Sequence, residues 1–126
     1  MRALVPIGRI LFSLIFITAV FSHFSSGAIA AASAHGVPLA TLAVPAAGIL
    51  AFLGGVSILL GYRARFGAFL VLVFLVPVTL IMHKFWGIAD AQQAMMQKAN
   101  FMKNVSLMGG ALMIMYYGSG PASLDG

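Results

Sequence analysis

Between Arg9 and Lys84 the only Lys, Arg, Asp or Glu residues are Arg63 and Arg65. A segment that long with so few charges cannot build a surface that water wets. Over the whole chain 7% of the residues are charged and 62% are hydrophobic, where a soluble domain carries about 25% charged. A core built from 126 residues is too small to hide that much apolar surface. Lipid is the solvent that removes the conflict. A backbone crossing lipid must satisfy its own hydrogen bonds, so the apolar runs are expected to be helices.

Four runs are long enough to matter. Residues 7–24 would form a helix of about 27 Å, close to the thickness of a bilayer's hydrocarbon layer. Residues 25–38 read as a small-residue loop, with Gly27, Gly36, Pro38 and no Lys or Arg. The second span covers 39–61, with Pro45 near its start, and Tyr62-Arg63-Ala64-Arg65 makes a tight basic turn. The third covers 66–82, with Pro77 as an expected kink. Asp90-Ala91-Gln92-Gln93 has the pattern of a helix start, with Asp90 as the cap. Nothing but Gly109-Gly110 interrupts the helix before Gly118, so it should run for about 40 Å. Its first part is read as interfacial and residues 99–117 as the fourth span, with 123–126 a short tail. The expected fold is all-α: an integral membrane four-helix bundle whose fourth helix is extended by an interfacial portion. Residues 1–126 then form a single transmembrane domain.

The first 24 residues could pass for a signal peptide, but their apolar stretch is longer than the usual 7–15 residues of one. Small residues recur every fourth position at Ala47, Ala51 and Gly55, and again at Ser106 and Gly110. Such faces let helix backbones approach closely in lipid. With the N-terminus inside, Arg2, Arg9, Arg63 and Arg65 face the cytoplasm, while Lys84, Lys98, Lys103 and Asp90 face outward. The long first loop without Lys or Arg favours that orientation, which puts both termini on the cytoplasmic side. Arg9, one turn into the first span, is expected to snorkel to phosphates or to pair with Asp125.

This topology gathers His23, His35, His83, Lys103 and Asn104 at one rim, beside Trp86 and Asp90. Ionisable groups at membrane depth are candidates for function. Trp86 and Lys84 also suit an interface belt. Asn104 needs a hydrogen-bond partner below the interface, and His83 is the expected one. A quinone-like or lipid ligand fits best: a donor or two for its head group and an apolar cleft for its tail. His83, Asn104, Lys103, Trp86 and His23 are the candidate ligand-binding residues.

Other chemistries find less support. His23 and His83 as haem ligands have no attachment sequence and no paired spacing behind them. The eight methionines read as helix packing rather than as a copper site. There is no cysteine, which removes thiolate chemistry from this chain. The net charge of +5 comes from scattered residues near the ends of apolar runs, so a nucleic-acid partner is not expected.

Three stretches resemble the DoxX family of small four-span bacterial membrane proteins. One is Gly54-Gly55 with the run to Gly61 and the turn Tyr62-Arg63-Ala64-Arg65. The second is His83-Lys84-Phe85-Trp86. The third is the segment from Phe101 through Lys103-Asn104 and Gly109-Gly110, with Gly118-Ser119-Gly120-Pro121 and Ser123-Leu124-Asp125. Two departures stand out: His23 lies where that family often has a lysine, and Ala51 where it often has a glutamate.

The resemblance implies a bacterial inner-membrane protein that works as an accessory subunit of a quinone-linked or oxidative-stress redox system. Any oxidoreductase activity would need a partner subunit. The alternative is a noncatalytic membrane scaffold within a larger complex. No nucleophile–base pair or phosphate loop is visible in the chain.

Overall fold

The structure is a computed structural model that describes residues 3–83, 85–121 and 123–124. Arg2, Lys84 and Asp125 lie outside the described residues. Five helices follow one another: α1 (Leu4–His23), α2 (Ser26–Ala34), α3 (Ala40–Leu60), α4 (Ala64–Met82) and α5 (Ala91–Tyr117). The described residues contain no strand.

Four of these helices lie where the apolar runs put them. Asp90 caps α5 as expected, its carboxylate accepting the Gln92 N–H at 2.9 Å, and α5 continues unbroken through Gly109-Gly110. Both prolines are accommodated inside helices, Pro45 in α3 and Pro77 in α4.

The segment 25–38 departs from expectation. It is not a loop but holds α2, nine residues long. Ser25 caps it by accepting the Ala28 N–H at 3.1 Å. Alanine is the strongest helix former, and the alanine run that follows the cap outweighs Gly27.

α1 packs on α3, α3 on α4 and α4 on α5, and α2 lies against the start of α3. The core runs through Phe16, Ala51, Ile58, Ala68, Val71, Phe74, Leu75 and Ala111. α3 takes a neighbour on two sides because both sides carry glycine. A Cβ added at Gly54 would stand 2.8 Å from the Gly67 carbonyl oxygen on α4. One added at Gly55 would stand 2.9 Å from Ile17 on α1. α5 meets α1 through Gly110, against which the Phe12 ring lies.

α3 ends in a Schellman turn, in which the Gly61 N–H bonds to Ile58 O (3.1 Å) and the Tyr62 N–H to Ser57 O (3.0 Å). This motif needs a left-handed residue just past the helix, and Gly61 supplies it at φ +69°. Residues 118–124 were expected to end the fourth span and trail off as a tail. Instead residues 118–121 and 123–124 fold back over the bundle. The Leu124 N–H donates to Leu60 O at 3.1 Å. Arg9 is buried, not snorkelling, and its Nη2 donates to Pro121 O at 3.1 Å. The segment caps the guanidinium and so keeps it from reaching the surface. Pairing with Asp125 falls outside the described residues.

The outside of the molecule is apolar. Only 17% of the 18-residue window Leu4–Phe21 is buried, and 33% of the windows in α3 and α4. Leu11, Phe21, Leu42 and Phe66 are among many large side chains that face outward. A continuous apolar exterior of this extent is what lipid contact produces. α1, α3 and α4 are each long and apolar enough to cross a membrane.

Candidate functional site

The site begins with an offset between helix ends. α1 stops at His23, beside Gly48 of α3: a Cβ added at Gly48 would stand 2.5 Å from the His23 Cβ. The imidazole meets the Phe74 ring of α4 edge-on, at 5.4 Å between centroids. α3 begins at Ala40 and α4 ends at Met82. Both therefore extend about 12 Å beyond His23, at 1.5 Å per residue. His23 sits inside the bundle, below its rim.

α2 turns back across the space that α1 vacates. Its Ala32 packs with Ala40 and Val44 of α3, joined by Ala28, Ile29, Val37 and Met82. The filling is incomplete. A cleft of about 260 Å³ remains, walled by Ala28, Ala31 and Ala32 of α2, Ala43 and Ala47 of α3, and Val78 and Ile81 of α4. Five of its twelve lining residues are alanine, and methyl side chains are what leave the space open. His23 is the one polar side chain among them. The geometry fits its Nδ1–H donating to Ala19 O at 2.7 Å. In the neutral ring that arrangement makes Nε2 an acceptor.

The other expected site residues lie elsewhere. His83, Lys103, Asn104 and Trp86 do not line this cleft. His83 follows α4, and its Nδ1 bonds to Gln97 Oε1 on α5 at 2.9 Å, so the expected His83–Asn104 hydrogen bond is replaced. The reason is register. α5 starts at Ala91 and runs back along α4, which brings Gln97 opposite His83 and leaves Asn104 about 10 Å deeper. Asn104 is buried there, while Lys103 is exposed on the next position of the helix.

Trp86 is exposed and belongs to an aromatic group with Phe85 and Phe101, centroids 5.4 to 5.8 Å apart. Lys98 stands over the Phe85 ring at 5.9 Å. His35 is exposed at the end of α2. The polar residues expected at one rim are therefore divided among the interior cleft, the α4–α5 contact and the surface. Gln97 was the residue missed. It lies seven positions before Asn104 on the same helix face, which is the signal that could have found it. Among the described residues no group of three or more His, Cys, Asp or Glu side chains gathers as a metal site.

The fold and the cleft describe a helical membrane protein with at least three spanning helices and an apolar void among them. Residues 2–126 match the SURF4 family, and the chain belongs to that family. The DoxX resemblance is thereby corrected, since the two families are different. Its motifs discriminate poorly for a physical reason. Gly54 serves the close contact of α3 with α4, and Arg63 and Arg65 mark a turn at the end of two apolar helices. Packing and orientation in any membrane hairpin ask for both. No curated protein and no solved structure matches the chain.

Proposed function

We propose that the chain is a multi-pass membrane protein that holds the apolar part of a membrane lipid in the cleft beyond His23 without carrying out chemistry on it. On this reading α5 is the fourth span, its apolar half lying within the bilayer and its polar first turns at the interface. The N-terminus, the α3–α4 turn and the C-terminal segment face the cytoplasm, because four arginines belong to that side. The redox role came only with the DoxX resemblance and goes with it.

The observation that carries the proposal is the composition of the cleft wall. A volume of about 260 Å³ would hold roughly eight waters at liquid density. The wall offers them a single imidazole, so water gains few hydrogen bonds there. An apolar chain loses nothing in the same space and gains contact with alanine, valine and isoleucine side chains. His23 then marks the inner end, where a ligand's polar group could be oriented.

The test uses the purified protein and a phospholipid with a photoreactive acyl chain. Ala28, Ala31, Val78 and Ile81 should take the label above the level of outward-facing residues such as Leu42 and Phe66. Ala47→Phe fills the cleft and should reduce that label about tenfold or more, the effect of losing most of a pocket's apolar contact. Leu53→Phe, on an exposed position of α3, should leave it unchanged. Labelling spread evenly over the lipid-facing side chains and indifferent to Ala47→Phe would sink the reading and favour a scaffold.

A further inference from the structure

Three hydroxyls on the helices bond to a carbonyl of their own helix: Ser13 donates to Ile10 O at 3.1 Å, Thr18 to Leu14 O at 2.9 Å and Ser106 to Lys103 O at 3.0 Å. Thr79 of α4 does not. It is 1% exposed, and its hydroxyl has no hydrogen-bond partner among the described residues. Buried polar groups in native folds are almost always paired, so an unpaired one calls for a cause. At the opposite end of the bundle Arg63 and Arg65 line a cleft with residues of the C-terminal segment, but polar groups there are engaged. Arg63 lies over the Tyr62 ring, 5.7 Å from its centroid, and Ser123 Oγ donates to Gly120 O at 2.8 Å.

Helix register sets what faces Thr79. The His83–Gln97 bond pins α4 against α5, which runs back along it. Thr79 lies one turn before His83, about 6 Å deeper in the bundle. Asn104 lies two turns after Gln97 on the same face of α5, about 10 Å deeper. The two therefore differ by about 4 Å in depth. Helical side chains lean toward the N-terminus of their own helix. In this antiparallel pair Thr79 leans inward and Asn104 leans toward the rim, so each leans toward the other. Asn104 is 5% exposed, and its amide is likewise without a partner among the described residues. The core positions nearby, Leu75, Leu107 and Met108, are apolar.

We propose that Thr79 and Asn104 bind one hydroxyl group between α4 and α5, belonging to an ordered water or to a neutral lipid. A hydroxyl donates once and accepts up to twice, so it can accept from one of these side chains while donating to the other. Two bonds of ordinary length span about 5.5 Å, more than the offset in depth. Neither side chain is charged, which fits a neutral hydroxyl and not an ion. The site is separate from the His23 cleft, whose α4 wall is Pro77, Val78, Ile81 and Met82 and does not include Thr79.

The test uses the full chain in lipid nanodiscs, as wild type, Thr79→Val, Thr79→Ser and Asn104→Leu. Valine keeps the shape of threonine without its hydroxyl. Native mass spectrometry compares retention of dioleoylglycerol with that of its methyl ether, in which the hydroxyl is capped. X-ray radiolysis in ¹⁸O water, read as oxidation of Phe101, Leu107 and Met108, reports a bound water beside them. If a lipid supplies the hydroxyl, dioleoylglycerol should be retained about fivefold better than its ether, the net effect of one hydrogen bond. Thr79→Val should abolish that preference and Thr79→Ser should keep it. If water supplies it, the two lipids should be retained equally, and the ¹⁸O label should fall about fivefold in Thr79→Val. Either result supports the site and names its occupant. Should Thr79→Val fail to fold, Asn104→Leu decides in its place. A wild type with neither signal overturns the site, as do signals that Thr79→Val and Asn104→Leu leave unchanged. A lipid preference lost in Ala47→Phe and kept in Thr79→Val belongs to the His23 cleft and overturns it too.

Discussion

The two ends of the bundle solve the same problem in opposite ways. At both, a short stretch of chain crosses the end of the bundle and leaves a cleft beside it. At the His23 end, α2 crosses that space with alanines and leaves it partly empty and apolar. At the arginine end, the C-terminal segment crosses it with backbone carbonyls, seryl hydroxyls and left-handed glycines. A buried Arg9 is tolerated at the second end because Pro121 O accepts from it. The lesson is that chain filling a gap in a membrane bundle sets the chemistry of that gap: methyl groups leave a lipid-like void, and an irregular backbone makes a polar one.

The comparison breaks most sharply at two glycines. Gly61 and Gly36 both have positive φ, +69° and +86°. A Cβ on Gly36 meets open space, whereas one on Gly61 would collide with the Ser123 Cβ and with Arg9 Nη1. Gly61→Ala should therefore lose about 3 kcal/mol, combining a left-handed alanine with overpacking. Gly36→Ala should lose only about 1 kcal/mol, from backbone strain alone. Thermal unfolding in detergent measures both, and equal losses would mean that the arginine end is no tighter than the other.

Arg9→Met comes next. It removes a charge-assisted donor from the half-buried Pro121 carbonyl and should lose about 2 kcal/mol. It should also speed proteolysis within residues 118–124. A variant with unchanged stability and an uncut C-terminal segment would show that this segment is held by other contacts.

The smallest effect belongs to the rim near His83. A double-mutant cycle of His83→Ala and Gln97→Ala should show a coupling of about 1 kcal/mol, the net worth of one hydrogen bond. The same cycle with Asn104→Ala should show almost none, since the two side chains are at different depths. Coupling to Asn104 instead would restore the contact read from topology alone.

Much of the fold was legible in the residues. Long apolar runs without charge can only be helices in lipid, so α1, α3 and α4 follow from composition, and Asp90 with Gln93 announced α5. The segment 25–38 was less legible because an alanine run carries almost no hydrophobic periodicity. Only the Ser25 cap and intrinsic propensity favoured α2, and glycine and proline nearby argued against it. The candidate site was read less well still. His23 was placed at a rim because it ends its helix, yet how deep that end lies depends on where α3 and α4 end. His83 needed a partner, but Gln97 or Asn104 as that partner depends on the register of α5 against α4.

What the sequence determined by itself is the solvent and the four long helices. Charge is nearly absent from 10 to 83, hydrophobic side chains dominate, and the helix signals are local, so neither conclusion needs distant contacts. Only the tertiary structure decided which side chains share a space. The His23 cleft exists because α1 ends below the ends of α3 and α4 on this side and α2 fills the gap with methyl groups. The arginine cleft exists because residues 118–121 and 123–124 return to the end of α3. Both depend on the relative offset of packed helices, which glycine contacts at Gly48, Gly54 and Gly61 set to within a side chain's width and which no local pattern encodes.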